Sequence, residues 1–399
     1  MTMRRVVVVG NGIAGLTACD SLRTAGFDGE LTVVGAERHH PYSRPALSKA
    51  LLHGDGALQA HELPEPTHDA TELLGMSATG LDVDARLVRL DGGGELPYDG
   101  LVIATGSRAK RLAAGRGPRG QQQEGPLREL TLRPLEDAIL LKERVASRPS
   151  VIVIGGGPLG MEVASGCLHV GCEVTLVADV KPLSRQLGGH LGDIFTAAAI
   201  RRGLRVVGGG KARLVDHGYG SRVVLSDGTE LEADLVVTAV GDEPNTDWLA
   251  SSNLLREGSL SVDTRGRVRP EIVAAGDVAF FPTSRGVQRV PLWTSAIDQA
   301  KVAAIGLLHG DAAPEFNFQP YFWTEGFGLS LKAVGFTPVQ GGPDFCEAGG
   351  EAGSLLMRWQ NTDGSGTAAA VNYRMPIPKL RRLADAGPAT LRPAAPARV

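Results

Sequence analysis

The chain has 399 residues, more than one hydrophobic core accommodates, and this length points to two or three domains. Its hydrophobic fraction of 43% is ample for burial, and a net charge of −3 offers no basic excess for nucleic acid or an acidic membrane surface. Four cysteines, Cys19, Cys167, Cys172 and Cys346, form no Cys-x-x-Cys pair and have no metal-ligand spacing, so neither a redox disulfide, a metal nor an iron–sulfur cluster is expected. The apolar run at the start is shorter than a signal-peptide core, and nothing approaches the roughly 18 apolar residues of a membrane span. A cytoplasmic location without a membrane partner is the expectation.

Taken in order, Val6-Val7-Val8-Val9 predicts a strand running into Gly10-Asn11-Gly12-Ile13-Ala14-Gly15, with a helix over 16–23 and a second strand over 31–34. In a strand–turn–helix of this spacing, Gly10 makes the turn, Gly12 lets backbone approach a pyrophosphate, and Gly15 lets helix and strand pack closely. Glycine is abundant, at 53 residues, so the motif alone is weak and its context carries the reading. Glu37 lies 22 residues past Gly15, close to the roughly 20 expected of an acid that bonds a ribose 2′-hydroxyl. Its plain alternative is a solvated loop carboxylate.

Next comes Tyr42-Ser43-Arg44-Pro45-Ala46-Leu47-Ser48-Lys49, with Pro45 suited to a first helical position. This run resembles the Tyr-x-Arg-Pro-x-Leu-Ser-Lys segment of the FAD-dependent, NADH-dependent ferredoxin reductases of the putidaredoxin and rubredoxin reductase type, within the two-dinucleotide pyridine nucleotide flavoprotein family. The resemblance implies that Arg44 and Lys49 lie along FAD, Lys49 close to the flavin ring. Residues 73–106 read as short strands with a Gly92-Gly93-Gly94 turn, ending in Ala104-Thr105-Gly106, which is similar to the family's Ala-Thr-Gly passage beside FAD. Residues 108–126 read as a linker or exposed loop.

Residues 150–178 repeat the opening device: a strand at 151–154, Gly155-Gly156-Gly157-Pro158-Leu159-Gly160, a helix over 161–170 and a strand over 174–178. Two such units argue for two dinucleotides. At the end of the second strand Ala178 stands where the family usually has Glu, and Asp179 follows, 19 residues past Gly160. An acid favours NADH, but Lys181 and Arg185 equally suit a 2′-phosphate, so NADPH stays open beside the favoured NADH. Glu162 matches a family glutamate beside the nicotinamide; its plain alternative is an acid placed to suit the helix dipole.

More strands are expected over 204–240, ending at Gly241, and Glu243-Pro244-Asn245 resembles the family's Arg-Pro-Asn crossing back to the FAD domain. The strand before Gly276-Asp277 resembles the third FAD signature, in which Asp277 bonds the ribityl chain. Pro291-Leu292-Trp293-Thr294 precedes a helix whose N-terminus the family points at the flavin; here Pro291-Leu292 replaces the usual Glu-His. Ser295 and Asp298 are spaced as a capping box, and Ile297, Ala300, Ala304, Ile305 and Leu308 predict the buried stripe. Pro320-Tyr321-Phe322-Trp323-Thr324 resembles the start of the family's small C-terminal domain, with strands expected near 329–334 and 354–359.

The expected fold is α/β, with two Rossmann-like dinucleotide-binding domains for FAD and NAD(P)H and a small α+β C-terminal domain. The boundaries expected are 1–112 with 243–318 for FAD, 113–242 for NAD(P)H, 319–385 for the C-terminal domain, and a disordered tail over 386–399. The cofactor-binding set that the resemblance implies is Gly10, Gly12, Ala14, Gly15, Glu37, Arg44, Lys49, Ala104, Thr105, Gly106, Gly155, Gly157, Gly160, Glu162, Asp179, Gly241, Gly276, Asp277, Trp293 and Thr294. Lys49, Glu162 and Trp293 form its catalytic part. The activity implied is hydride transfer from NADH to FAD and single-electron delivery to a ferredoxin-type iron–sulfur protein, serving a cytochrome P450 or other oxygenase. The alternatives are an NADH-sensing flavoprotein resembling apoptosis-inducing factor, or an NADH oxidase that lacks a redox cysteine. Because ferredoxins are usually acidic, Arg285, Arg289 and Lys332 are the cations expected at an electron-exit face.

Overall fold

The computed structural model describes residues 3–49, 63–112, 129–216, 221–351 and 353–386. Most of the linker expected over 108–126 and nearly all of the tail expected from 386 lie outside these residues. The chain divides into two compact units, the first within 1–43, 57–108 and 243–320, the second within 44–56, 109–242 and 321–399. Among the described residues no helix is long and apolar enough to cross a membrane.

In the first unit, a six-stranded sheet runs in the order Arg267–Arg269, Ile272–Ala274, Gly100–Ile103, Arg5–Val9, Glu30–Gly35 and Thr71–Leu74. All of its pairings are parallel except that of Arg267–Arg269 with Ile272–Ala274. A parallel strand covered on both faces is a continuous apolar run, and Arg5–Val9 shows how its two faces are used. Val6 and Val8 face the helices Ile13–Thr24 and Trp293–His309 through Ala18, Cys19, Leu22, Ala300 and Ala304. Val7 and Val9 face the opposite side, where Leu81, Val88 and Leu90 come from a small antiparallel sheet formed by Ala78–Asp82, Leu87–Leu90 and Glu95–Pro97.

The helix Trp293–His309 departs from expectation at its start and on its face. It begins at Trp293 after Leu292, with no side-chain cap, so Ser295 is the third helical residue instead of the cap. Its buried stripe is Ala296, Ala300, Ala303, Ala304 and Leu307, while Ile297, Ile305 and Leu308 are only half-buried. The reason is steric: this helix packs against Ile13–Thr24, which presents Ala14, Ala18 and Cys19, and two helices approach closely only through small side chains. Hydrophobic size pointed to the isoleucines, whereas interhelical distance selects the alanines.

The second unit holds a five-stranded, all-parallel sheet ordered Arg205–Val207, Glu173–Val177, Ser150–Ile154, Leu235–Thr238 and Glu129–Leu130. Ile152, Ile154, Val177 and Val236 pack on Val223 and Leu225 of a three-stranded antiparallel sheet, Ala212–Asp216, Ser221–Leu225 and Glu230–Ala233. The same unit contains a five-stranded antiparallel sheet of Tyr321–Gly326, Leu329–Val334, Gly366–Val371, Leu355–Gln360 and Phe345–Ala348. Helix Ile377–Asp385 covers it by burying Leu380 and Ala384 against Val334, Leu356 and Ala370. Two Rossmann-like parallel sheets and one small α+β element are therefore present. In both sheets the strand that leads into the glycine turn, Arg5–Val9 or Ser150–Ile154, lies between the strand that follows the turn's helix and the strand that carries Ala104 or Ala239 just past its end.

The strand–turn–helix packing yields a stability prediction. A Cβ on Gly15 would sit 1.8 Å from Gly10 O, and one on Gly160 would sit 1.9 Å from Gly155 O. Alanine at either position should destabilise its unit by about 1–3 kcal/mol or more, because rigid backbone must move. A Cβ on Gly12 meets nothing within 4 Å and one on Gly157 meets only Gln186, at 3.6 Å, so alanine there should cost no more than about 1 kcal/mol. Urea unfolding of the four variants checks this, and equal losses at all four would refute it.

Candidate cofactor and coenzyme sites

The first glycine turn is held by backbone. Gly10 has φ +113°, its N–H donates to Val34 O at 2.8 Å, and an added Cβ would lie 2.1 Å from Ala104 O. The chain at Ala104-Thr105-Gly106 therefore passes directly against the turn, and only glycine fits at position 10. Gly12 precedes helix Ile13–Thr24 without a side-chain cap, which leaves its first N–H groups facing the open side of the turn. Asn11 Oδ1 is buried there and has no protein partner. Glu37 follows the end of strand Glu30–Gly35, and Tyr42 Oη donates to its Oε2 at 2.6 Å.

A clasp joins Ala104-Thr105-Gly106 to the Glu243-Pro244-Asn245 segment. Thr105 Oγ1 donates to Asn245 O at 2.8 Å, Asn245 Nδ2 donates to Thr105 O at 2.9 Å, and Asn245 N donates to Gly106 O at 2.9 Å. Where the resemblance leads one to expect an arginine, Glu243 instead pairs with Arg108 at 3.2 Å. Gly276 has φ +80°, its N–H donates to the buried Gln299 Oε1 at 2.9 Å, and an added Cβ would lie 3.0 Å from Ala14 Cβ. Ser107 Oγ donates to Asp277 Oδ2 at 3.4 Å. Trp293 and Thr294 are the first two residues of their helix and are half-buried, while Ser295 Oγ is buried without a protein partner.

Gln299, Asn11 and the role of Ser295 were not singled out in the sequence. A lone glutamine within an alanine stripe was the available signal for the first of these. Arg289 Nη1 donates to Asp277 O at 3.2 Å, so this cation closes the Gly-Asp loop. Arg285 is half-buried beside the turn between Ala279–Thr283 and Gly286–Gln288, and Lys332 lies half-buried on Leu329–Val334.

The second turn repeats the first. Gly155 has φ +115°, its N–H donates to Val177 O at 2.8 Å, and an added Cβ would lie 2.2 Å from Ala239 O. Ala239-Val240-Gly241 thus takes the place of Ala104-Thr105-Gly106, with Gly241 at φ +109°. Beyond strand Glu173–Val177, Ala178 is buried and Asp179 is exposed and already paired, with Arg185 Nη1 2.8 Å from its Oδ2. Lys181 Nζ pairs with Asp193 at 2.5 Å.

Glu162 is the fifth residue of helix Pro158–Val170 and only 6% exposed. Lys49 Nζ lies 2.9 Å from its Oε1, Thr324 Oγ1 donates to the same oxygen at 2.5 Å, and Ser48 Oγ donates to Oε2. Arg44 begins a single 3-10 turn, Arg44–Ala46, with Pro45 inside it, and its Nη1 donates to Arg133 O at 3.0 Å.

These residues fit dinucleotides. The space over Gly12 and Gly157 is open, each helix start lacks a side-chain cap, and buried polar atoms Asn11 Oδ1 and Ser295 Oγ await partners. Nucleophilic thiol chemistry is disfavoured: burial pushes the Cys167 thiol up to about 12 and that of Cys19 higher still, and all four cysteines are free. Among the described residues no group of three or more His, Cys, Asp or Glu is arranged to hold a metal ion.

Residues 4–300 match the family described as pyridine nucleotide-disulphide oxidoreductase. The ferredoxin–NAD(+) reductase component of the p-cumate 2,3-dioxygenase system of Pseudomonas putida is 33% identical over 83% of this chain and 81% of its own. The ferredoxin reductase component of chlorobenzene dioxygenase from Cupriavidus sp. (strain PS12) is 34% identical over 88% of this chain and 86% of its own. The crystal structure of the covalent putidaredoxin reductase–putidaredoxin complex superposes with a TM-score of 0.81 at 26% identity, over 96% of this chain and 92% of the other. Glycines that repeat one strand–turn–helix geometry in two parallel sheets, together with relatives matched along most of their length, show that this chain is an oxidoreductase of the pyridine nucleotide-disulphide oxidoreductase family.

Proposed function

We propose that the chain is a ferredoxin–NAD(+) reductase that takes hydride from NADH onto FAD and passes single electrons to a ferredoxin serving an oxygenase such as a cytochrome P450. The observation that carries this is the pair of equivalent glycine turns, open at Gly12 and at Gly157, in a chain whose four cysteines form no Cys-x-x-Cys pair. FAD and NAD(H) are its cofactors. Bound FAD supplies the step between a two-electron donor and one-electron acceptors. Gly10, Gly12, Ala14, Gly15, Glu37, Ala104, Thr105, Gly106, Gly276 and Asp277 are the residues proposed to hold the FAD. Gly155, Gly157, Gly160, Asp179 and Gly241 are proposed for the coenzyme. Trp293 and Thr294 are proposed to complete the FAD set of the first unit, and Lys49 and Glu162 are proposed as the reacting pair of the second. The relatives named for dioxygenase and putidaredoxin systems support an iron–sulfur acceptor, and a cytoplasmic location suits an NADH-dependent enzyme.

The purified protein should be yellow with one non-covalent FAD per chain and should reduce cytochrome c with NADH only when a ferredoxin is supplied. A protein that takes up no FAD when refolded with excess flavin would sink the reading. A long-lived reduced flavin with slow delivery to every ferredoxin tried would favour the NADH-sensing alternative.

Gly157→Val tests the assignment of the second turn. A Cβ there meets only Gln186, at 3.6 Å and in ordinary contact, so FAD content and unfolding midpoint should stay near wild type while NADH binding is lost. Loss of FAD as well would mean that the two sites had been confused.

Coenzyme choice should depend on the exposed Asp179–Arg185 pair. Such pairs contribute about 0–1 kcal/mol, so either partner is free to turn to a ribose substituent. Arg185→Ala should raise the ratio of kcat/KM for NADH over NADPH by releasing Asp179 to a 2′-hydroxyl, and Asp179→Ala should lower it by releasing Arg185 to a 2′-phosphate. An unchanged ratio in both variants would remove the pair from the coenzyme site.

A further inference from the structure

We infer that Thr324 is a positioning residue: its hydroxyl, together with that of Ser48, fixes the Glu162 carboxylate and thereby sets where the Lys49 ammonium stands. The inference rests on the proposed reading of Lys49 and Glu162 as the reacting pair, and it goes further by giving the C-terminal sheet a part in that site.

Glu162 is a buried carboxylate gripped by three donors from two other segments. Thr324 Oγ1 and Lys49 Nζ share Oε1 at 2.5 and 2.9 Å, and Ser48 Oγ takes Oε2. Both hydroxyl-bearing residues are themselves buried, Ser48 to 4% exposure and Thr324 to 2%. Carboxylates taken out of water require such donors, and each charge-assisted bond also fixes direction. Lys49 has three N–H groups. Glu162 Oε1 takes one and Pro45 O, at 3.3 Å, takes another, which leaves the third for an acceptor on a bound substrate or cofactor. Its side chain is 16% exposed, enough for such an acceptor to reach it.

Thr324 lies on the edge strand Tyr321–Gly326, and that strand is clamped to helix Pro158–Val170 at two points. Phe327 N donates to the buried Ser165 Oγ at 2.8 Å, three residues along the helix from Glu162 and on the same face. A Cβ on Gly326 would stand 3.4 Å from Ser165 Cβ, so the strand lies close against the helix. Ser165 therefore anchors the strand, and Thr324 carries that anchoring through to the carboxylate. Two donors on one oxygen explain why a hydroxyl is needed beside the ammonium. With the Thr324 hydroxyl removed, Oε1 keeps only the Lys49 ammonium and the carboxylate loses one of its three points of attachment, which loosens both it and Lys49.

Wild type, Thr324→Val, Thr324→Ser and Ser48→Ala, each with FAD bound, are to be compared by two measurements. The first is the rate at which Lys49 is acetylated by sulfosuccinimidyl acetate, read by peptide mass spectrometry. The second is the rate of flavin reduction by NADH in a stopped flow, with ferricyanide as acceptor for the steady state. Thr324→Val keeps the shape and removes the donor. It should label about tenfold faster at Lys49 and reduce flavin about tenfold more slowly, the worth of one hydrogen bond to a charged group, with the NADH KM within about twofold of wild type. Thr324→Ser should restore both, and Ser48→Ala should shift both in the direction of the valine variant. Wild-type labelling and reduction in Thr324→Val would overturn the inference, as would equal impairment in Thr324→Ser. If Thr324→Val does not fold, Ser48→Ala against wild type decides by the same two readouts. Labelling needs no electron acceptor, so a chain that fails with every ferredoxin yet shows this pattern loses the proposed function and keeps the positioning role.

Discussion

The two glycine turns of this chain depend on how closely a helix is brought to the strand that precedes it. At Gly15 and Gly160 the missing Cβ lets the helix lie where any side chain would strike the carbonyl oxygen of Gly10 or Gly155. At Gly10 and Gly155 a positive φ turns the chain, while Ala104 O or Ala239 O occupies the space a side chain would need. The result in each unit is a helix whose uncapped N–H groups open over a glycine that nothing crowds. Uncapped N–H groups and the helix dipole are the features that suit an anion there, with no charged side chain required.

The same demand for close approach governs the first unit beyond its turn. Ile13–Thr24 and Trp293–His309 meet through alanines and Cys19, and Gln299 from the second helix accepts the N–H of Gly276. Gly276 in turn stands against Ala14 of the first helix. Interhelical contact, the Gly-Asp loop and the first glycine turn are thus joined by direct contacts. In the second unit the corresponding linkage is polar. There a buried carboxylate gathers a hydroxyl from the 44–49 segment, a hydroxyl from the C-terminal sheet and an ammonium.

Departures from the family pattern are local and chemically interpretable. Glu243 in place of an arginine is answered by Arg108, whose Nη1 also lies 3.1 Å from Asp247, and the clasp at Asn245 is present beside it. Ala178 in place of an acid moves the carboxylate one residue on, out to the surface, where Arg185 engages it. Leu292 stands in place of a histidine at a helix start that has no side-chain cap, and Ser295 Oγ in the first turn has no protein partner. Arg289, read from the sequence as a docking cation, is partly occupied with the carbonyl of Asp277.

What the sequence determined by itself is the set of features written in short spacing. The runs Val6-Val7-Val8-Val9 and 151–154, each followed by three spaced glycines, specified strand, turn and helix in both units, because glycine spacing and strand periodicity are local properties of the chain. Family likeness added the Ala-Thr-Gly and Gly-Asp segments. The tertiary structure alone decided which side chains close upon one another across long separations. Helical periodicity proposed Ile297, Ile305 and Leu308 for the buried stripe, but the distance to a second helix nearly 300 residues earlier in the chain selected Ala296, Ala303 and Leu307. A capping box was expected at Ser295, yet the helix starts two residues earlier and buries that hydroxyl. Glu162 carried two plain readings in the sequence, and only the arrival of Ser48 from 114 residues away and Thr324 from 162 residues away shows a carboxylate enclosed by donors. Burial and hydrogen-bond satisfaction are properties of a packed volume, and neither is encoded at any single position along the chain.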